Sequence, residues 1–152
     1  MNTLSRRRIV LQAGLGSLLF SAGLGSIAQA TPEALQAAVE AFTGGRPART
    51  GRVTLDIAPL IDNGNVVPVA IQVDSPMTAA DHVLKIGLFC PLNPLPEVAV
   101  FHLGPASGVA RVATRMRLAT SQTLTALAVM NDGSVWQQQV DVIVALAACI
   151  EG

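Results

Sequence analysis

The feature that most constrains the fold of this chain is an alternation of apolar and polar residues, which recurs between positions 53 and 146. Side chains at i, i+2 and i+4 lie on one face of a β-strand, so this spacing predicts half-buried strands. Turn-forming residues separate the runs, most clearly at 62–65 (Asp-Asn-Gly-Asn) and at 131–134 (Asn-Asp-Gly-Ser). Two runs show the alternation well: Val67, Val69, Ile71 and Val73, and, in the last predicted strand, Val140, Val142, Val144 and Leu146, which are all expected to point inward.

Seven segments are predicted to be strands, of which residues 82–90 are apolar on both faces, as is typical of a central strand, and no helical pattern interrupts them. They are residues 53–57, 67–73, 82–90, 98–103, 109–118, 123–130 and 135–146. Before them, residues 32–42 have the spacing of one amphipathic helix, with Thr31 as its cap and Gly44 at its end. Short strands with frequent turns are typical of two packed sheets. The sequence therefore predicts an all-β, immunoglobulin-like β-sandwich of about seven strands with a short N-terminal helix.

Residues 1–30 have the organisation of a signal peptide. Arg6 and Arg7 precede an apolar run that ends in Ala28-Gln29-Ala30, a small-residue cleavage pattern. The run is rich in glycine and only modestly apolar, which suits twin-arginine export better than a permanent membrane anchor. We therefore expect export to the periplasm, a sandwich domain over residues 31–146 and a cysteine-bearing tail over 147–152.

The charge balance argues against a nucleic-acid partner. The chain has 10 Lys and Arg against 10 Asp and Glu, and three of the basic residues lie in the predicted signal peptide. Without that segment, 7 basic and 10 acidic side chains remain, a net charge of −3. Binding to phosphates needs a basic surface, so we expect no nucleic acid to bind.

The sequence also lacks the motifs of enzymes and of metal or cofactor sites. It contains no nucleophile elbow, no phosphate-binding loop and no Cys-x-x-Cys pair. His82 and His102 are isolated, so each is expected to be a strand residue with a satisfied hydrogen bond rather than a ligand. With no tyrosine and one tryptophan, a stacking pocket for a cofactor is not expected, and Trp136 is interpreted as a core residue.

A row of arginines marks one strand. Arg111, Arg115 and Arg117 alternate with apolar residues in 109–118, so they are expected to face away from the core. The row predicts a solvent-exposed face or a protein interface, with anion binding as the alternative.

The two cysteines are the remaining candidates for chemistry. Cys90 continues an alternating apolar run, which predicts a buried structural residue. Cys149 lies three residues from the C-terminus, just past the last strand, where a chain is expected to fray into solvent. A mobile thiol there can enter the active site of another protein. The other interpretation is an unused thiol or one half of a disulfide with Cys90.

Several motifs resemble those of SoxY proteins in both order and spacing, from about residue 33 to Cys149. They are Asp-Asn-Gly-Asn-Val-Val-Pro-Val at 62–69, Val-Asp-Ser-Pro-Met-Thr at 73–78, Asn-Pro-Leu-Pro-Glu-Val-Ala at 93–99, Pro-Ala-Ser-Gly at 105–108, Thr-Arg-Met-Arg-Leu-Ala at 114–119 and Ser-Val-Trp at 134–136.

This resemblance implies a sulfur-carrying subunit of periplasmic thiosulfate oxidation, which is not itself an enzyme. It implies that Cys149 is the site of covalent sulfur attachment, on an arm of a sandwich that pairs with a SoxZ-like β-sandwich subunit as a heterodimer. The transient partners implied are a heme c enzyme that couples thiosulfate to the thiol, a sulfate-releasing hydrolase and other sulfur-oxidation enzymes.

The tail departs from the Gly-Gly-Cys-Gly-Gly pattern of that family. Ala147 and Ala148 precede the cysteine, and Ile150 and Glu151 follow it. Alanine is small but disfavours left-handed conformations, Ile150 widens the tip, and Glu151 disfavours the thiolate. The alternative to a carrier is therefore a divergent exported binding or assembly subunit, with a non-standard cargo or none.

Overall fold

The computed structural model describes residues 30–148. The predicted signal residues Arg6 and Arg7 and the predicted attachment residue Cys149 lie outside the described residues. Within them the chain forms one α-helix, nine β-strands and a single turn of 3-10 helix at Pro105–Ser107. The bounds are α1 Pro32–Thr43, β1 Ala48–Thr50, β2 Val53–Asp56, β3 Leu60–Asn63, β4 Val67–Val73, β5 Val83–Phe89, β6 Glu97–His102, β7 Arg111–Met116, β8 Gln122–Met130 and β9 Val135–Leu146.

The strands form two packed sheets, which confirms the predicted sandwich. The larger sheet has the order β1-β9-β8-β5-β6, with β3 added against β9, and the smaller sheet has the order β2-β4-β7. The alternating apolar side chains fill the space between the sheets; Val67 and Ile71 of β4, for example, are almost completely buried. Strand β5 lies between β6 and β8 and is apolar on both faces, as a central strand is expected to be.

The predicted helix is also confirmed, and it covers the outer face of the larger sheet. The Thr31 hydroxyl accepts a hydrogen bond from the amide of Ala34 (3.2 Å), and Gly44 ends the helix at φ +65°. Phe42 packs edge-on against Phe89, with 5.4 Å between the ring centroids. A Cβ at Gly87 would lie within 3.0 Å of both rings, so a glycine there makes room for this contact.

Two strands were not predicted, β1 and β3, and both pair in parallel with β9. They contain three and four residues, too few to show a period in the sequence. The expectation that Leu146 points inward is wrong, because its side chain is 60% exposed. The pairing of β9 with β8 ends at Gln122 opposite Val142, so Leu146 lies beyond the sandwich core.

None of the helices in residues 30–148 has the length and apolar character needed to cross a membrane.

Candidate functional site

The candidate site is the end of the sandwich from which the chain continues towards Cys149. There β9 extends past β8 and pairs with β3, with Leu60 opposite Ile143 and Asn63 opposite Leu146. The amide of Ile143 donates to the carbonyl of Pro59 (2.8 Å), so the pairing begins one residue before β3. Strand β8 pairs with β9 no further than this point, so the last part of β9 pairs instead with the short parallel strand β3.

A series of three backbone hydrogen bonds continues this pairing into the tail. The amide of Gly64 donates to the carbonyl of Leu146 (2.7 Å), and the amide of Leu118 donates to the carbonyl of Gly64 (2.8 Å). The amide of Ala148 then donates to the carbonyl of Leu118 (3.0 Å). Three separate segments meet here: the turn after β3, the loop after β7 and the start of the tail. We call this arrangement, made by Gly64, Leu118, Leu146 and Ala148, the tail junction.

Because of the tail junction, the chain does not fray directly after Leu146. Ala147 is exposed, but Ala148 has only 7% of its surface exposed and donates a hydrogen bond to the fold. The backbone contacts of the sandwich thus continue to the residue immediately before Cys149. This contact was not predicted, because residues 62–65 show only the pattern of a turn and no pattern in the sequence connects Gly64 with Leu118.

Cys90 is a buried structural residue, as predicted. Its side chain has no exposed surface and is a free thiol packed in the sandwich core. Burial raises the pKa of the Cys90 thiol from 9.0 to about 12, because an apolar surrounding disfavours the charged thiolate. The thiolate is the nucleophilic form, so this cysteine is inert in the folded protein.

Cys90 lies at the same end of the molecule as the tail junction. The loop that follows it carries Asn93, whose amide nitrogen donates to the carbonyl of Arg117 (2.8 Å). The amide oxygen of Asn93 accepts from the backbone amide of Ala119 (3.2 Å). These two bonds connect the loop after Cys90 to the residues on either side of Leu118, and so they also help to hold the junction in place.

Large apolar side chains are exposed beside the junction. Leu60 and Ile143 are each at least 60% exposed, and the strand pairing places Leu60 directly opposite Ile143. We call these two residues the apolar edge. Exposed apolar groups that are contiguous, rather than scattered singly, are typical of surfaces that contact another protein.

The arginine row faces away from the core, as predicted. Arg111, Arg115 and Arg117 are exposed, while Met116 between the last two is buried. Arg115 borders an open groove of about 800 Å³ on the smaller sheet, which Asp56 also lines. The row extends along the whole of β7, and Arg117 alone lies at the tail junction.

Trp136 is only partly in the core. It packs against the sandwich interior, but the guanidinium groups of Arg49 and Arg52 lie 5.0 and 5.8 Å from its ring. Arg52 also forms an ion pair with Asp81 (2.8 Å). The interpretation of Trp136 as a simple core residue is therefore incomplete, because it also fixes the end of the sandwich opposite the tail junction.

The histidines are separate from each other and from the junction. The Nδ1 of His82 is 2.9 Å from the carbonyl of Thr78, which satisfies that ring nitrogen, and His102 is exposed at the end of β6. Within residues 30–148, no three His, Cys, Asp or Glu side chains come together in a group that could hold a metal ion.

Comparison with protein families identifies the family to which the sequence is similar. The family model described as "Sulfur oxidation protein SoxY" matches residues 39–149, more than half of the chain. The matched region includes both cysteines and ends at Cys149. No sequence among the curated proteins matches this chain.

Among solved structures, superoxide reductases have a similar fold. The superoxide reductase (neelaredoxin) from Ignicoccus hospitalis is 18% identical, with a TM-score of 0.55 over 76% of this chain and 94% of that one. The superoxide reductase from Nanoarchaeum equitans is 12% identical, with a TM-score of 0.53 over 63% of this chain and 100% of that one. At such low identity the likeness concerns the fold alone.

Proposed function

Because this chain belongs to the SoxY family of sulfur oxidation proteins, we propose that it is a sulfur carrier that holds its cargo covalently on Cys149. In this proposal the sandwich is a support rather than an active site. The chain is exported by the twin-arginine route through Arg6 and Arg7, and it acts in the periplasm as a heterodimer with a second β-sandwich subunit of the SoxZ type.

The observation that supports this proposal most is the contrast between the two cysteines. The chain has only two, and Cys90 is sealed in the core with its pKa raised to about 12. Any thiol chemistry of the folded protein must therefore use Cys149. The family match extends to that residue, and the fold holds the chain up to Ala148, directly before it.

The chemistry expected of this thiol is oxidative loading followed by hydrolysis. Thiosulfate joins the Cys149 sulfur through its outer sulfur atom, which gives a cysteine S-thiosulfonate. The thiol proton is released, and two electrons pass to the heme c enzyme. Water then cleaves the bond between the outer sulfur and the sulfonate group in a separate hydrolase, releasing sulfate and a proton and leaving a persulfide on Cys149. The carrier supplies only the attachment point.

The apolar edge supports a permanent protein partner. Permanent interfaces are more apolar than transient ones, and two large apolar side chains lie side by side here, left uncovered by the rest of residues 30–148. We propose that the SoxZ-type subunit covers Leu60 and Ile143. The Ile143→Lys variant should then weaken the heterodimer. Val109→Lys is the matched control, since Val109 is 67% exposed and lies two residues before β7, at the opposite end of the sandwich.

The carrier proposal is tested by intact mass spectrometry after incubation with thiosulfate and a heme c thiosulfate-oxidising enzyme. We expect a reductant-sensitive adduct on the wild-type chain and on Cys90→Ala, and none on Cys149→Ser. An unmodified Cys149 under conditions in which an established SoxY protein is loaded would contradict the carrier role. That result would favour a divergent family member with another cargo or none.

The two residues after the cysteine modulate the proposed loading. Ile150 is bulky, and Glu151 repels an anionic cargo, so replacing both by glycine should raise the loading rate. Equal rates in the two chains would show that the tip of the tail does not limit access to the oxidising enzyme.

A further inference from the structure

We propose that the loop over residues 91–96 is a docking element, to which a protein with an apolar pocket bordered by acidic residues binds. We call this segment, Pro-Leu-Asn-Pro-Leu-Pro, the docking loop. Its use rests on the carrier function proposed above, because the proteins that need such a contact are the enzymes that act on the tail. The shape and exposure of the loop follow from the described residues alone.

The docking loop leaves apolar side chains in solvent. Leu95 is 73% exposed, more than any other large apolar side chain in residues 30–148, and Leu92 is 36% exposed. A single exposed leucine is common on protein surfaces and by itself indicates nothing. What distinguishes this one is that the fold holds the loop that carries it in one conformation.

Hydrogen bonds to buried residues hold the loop. The amide of Cys90 donates to the carbonyl of Pro96 (2.8 Å), which closes the base of the loop. The amide of Leu92 donates to the side-chain oxygen of Gln122 (2.9 Å), and the side-chain nitrogen of Gln122 donates to the amide oxygen of Asn93 (3.1 Å). Gln122 is only 8% exposed, and burying its amide group costs free energy unless both of its polar atoms are bonded. Here both atoms bond to the docking loop.

Two prolines restrict the tip of the loop further. Pro94 and Pro96 fix their own φ angles, and each also restricts the residue before it to extended conformations. Leu95 is therefore held in place before a partner arrives, so that little conformational entropy is lost on binding. A fixed apolar side chain that the core does not use can act as an anchor in a pocket of another protein.

Arg117 provides the second property of the partner. Its carbonyl accepts the hydrogen bond from the side chain of Asn93, which places it next to the docking loop. The Arg117 side chain is exposed and forms no ion pair with any of residues 30–148, including Glu97 directly after the loop. Guanidinium groups bind carboxylates through paired hydrogen bonds. The partner surface should therefore combine an apolar pocket for Leu95 with carboxylates for Arg117. Small molecules bind in concave sites, which an exposed side chain does not provide, so the partner is a protein.

The docking loop lies beside the point where the tail leaves the sandwich. Asn93 bonds to the residues on either side of Leu118, and the carbonyl of Leu118 accepts the amide of Ala148. The tip of a mobile tail samples a large volume, so it meets the active site of an enzyme rarely unless the sandwich is held nearby. Binding at the docking loop makes that encounter intramolecular and raises the effective concentration of the tail. For this reason we assign the loop to the enzymes that act on the tail and not to the permanent subunit.

The inference is tested by binding of the heterodimer to a purified heme c thiosulfate-oxidising enzyme from the same organism, with Cys149→Ser in the chain so that no covalent product forms. Leu95→Ser should weaken this binding about tenfold, as expected for the loss of one apolar anchor. Val109→Ser should not change it, since Val109 is similarly exposed (67%) but lies at the opposite end of the sandwich. Arg117→Glu should weaken binding at low salt and less at high salt, because salt screens exposed charges. Arg111→Glu, at the start of β7, is its matched control.

Three results would overturn the inference: an unaltered chain that does not bind the enzyme, equal affinities of the unaltered chain and Leu95→Ser, or a Leu95→Ser variant that dissociates from the partner subunit while the enzyme still binds it normally. Loading kinetics in the chain with Cys149 separate the docking loop from the carrier function. There Leu95→Ser should raise the KM for the carrier about tenfold and leave kcat unchanged, because Leu95 is remote from the reacting atoms. Binding without loading would contradict only the carrier function, and loading with an unchanged KM would contradict only the docking loop.

Discussion

The two ends of strand β9 are held in place by different means. Its first residues pair with β1 and its last residues with β3, and in both cases the partner is a short parallel strand. Strand β9 has 12 residues and extends along the whole sandwich, so these two pairings lie at opposite ends of the molecule. Residues 135–142 of the strand, including those that pair with β1, pair with β8 in the usual antiparallel way.

Side chains hold the first end. The ring of Trp136 lies beneath the guanidinium groups of Arg49 and Arg52, and a Cβ at Gly51 would lie 3.4 Å from the same ring. Arg52 adopts a left-handed conformation (φ +55°) and pairs with Asp81. Because long charged and aromatic groups cover this end, it presents a polar surface to solvent.

Main-chain hydrogen bonds are the principal contacts of the second end. The tail junction consists of such bonds around Gly64, with two more that involve the Asn93 side chain, and Leu60 and Ile143 of the apolar edge are left exposed. This end therefore keeps an apolar surface available to a partner. This difference explains why we assign the working end of the molecule to β3 and the tail and not to the arginine and tryptophan cluster.

Among the variants that test this difference between the two ends, Gly64→Ala is expected to have the largest effect on stability. The added methyl group has to displace backbone atoms of Leu118 and Ala148, so we expect the free energy of unfolding to fall by about 3 kcal/mol in urea titrations. Gly104→Ala should change it by less than about 0.5 kcal/mol, since nothing lies within 4 Å of a Cβ added there. Equal stability of the two variants would mean that the junction tolerates a side chain and is not tightly closed.

The opposite end can be disturbed separately by Trp136→Ala. Its side chain is only partly buried, so we expect a smaller loss, about 2 kcal/mol, from packing and cation–π contacts together. Hydrogen exchange at Ala148, measured relative to the β8–β9 ladder, should not change. If Ala148 lost protection more than that ladder does, the two ends of β9 would not be independent.

Alkaline pH tests how tightly the junction end encloses Cys90. Its folded pKa of about 12 lies above the unfolded value of 9.0, so the folded chain keeps the proton longer than the unfolded chain. The resulting stability is present below about pH 9 and is lost as the pH rises towards 12. The stability difference between wild type and Cys90→Ala should therefore change by about 1.4 kcal/mol for each pH unit above 9. Parallel pH profiles would show that the thiol reaches solvent.

The smallest effect is expected at the side-chain-held end, from Asp81→Asn. The Arg52–Asp81 pair is about one-third exposed, so removing its charge should cost about 0.5 kcal/mol. Thermal unfolding at low and high salt provides the measurement, since the difference should vanish when salt screens the pair. A loss of stability that persists at high salt would mean that this ion pair is a main contact at the first end of β9.

Period-two alternation was sufficient to predict the sandwich and the long strands, because burial of one face dictates residue type at every second position. It also placed Cys90 in the core. It did not predict β1 or β3, whose few residues have no period, and it placed Leu146 inside because the pattern cannot show where β8 ends. The tail junction was out of reach for a related reason: its hydrogen bonds join backbone atoms of three separate segments, and no pattern in the sequence shows that these segments meet at Gly64.

The central claim, that Cys149 is the one working thiol of this chain, is tested most directly in the protein purified from the organism that makes it, grown on thiosulfate. Peptide mapping by mass spectrometry under non-reducing conditions would compare the peptides that contain Cys149 and Cys90. We expect sulfur-containing additions on the Cys149 peptide that reductant removes, and an unmodified Cys90 peptide. An unmodified Cys149 in actively oxidising cells, or cargo on Cys90, would contradict it.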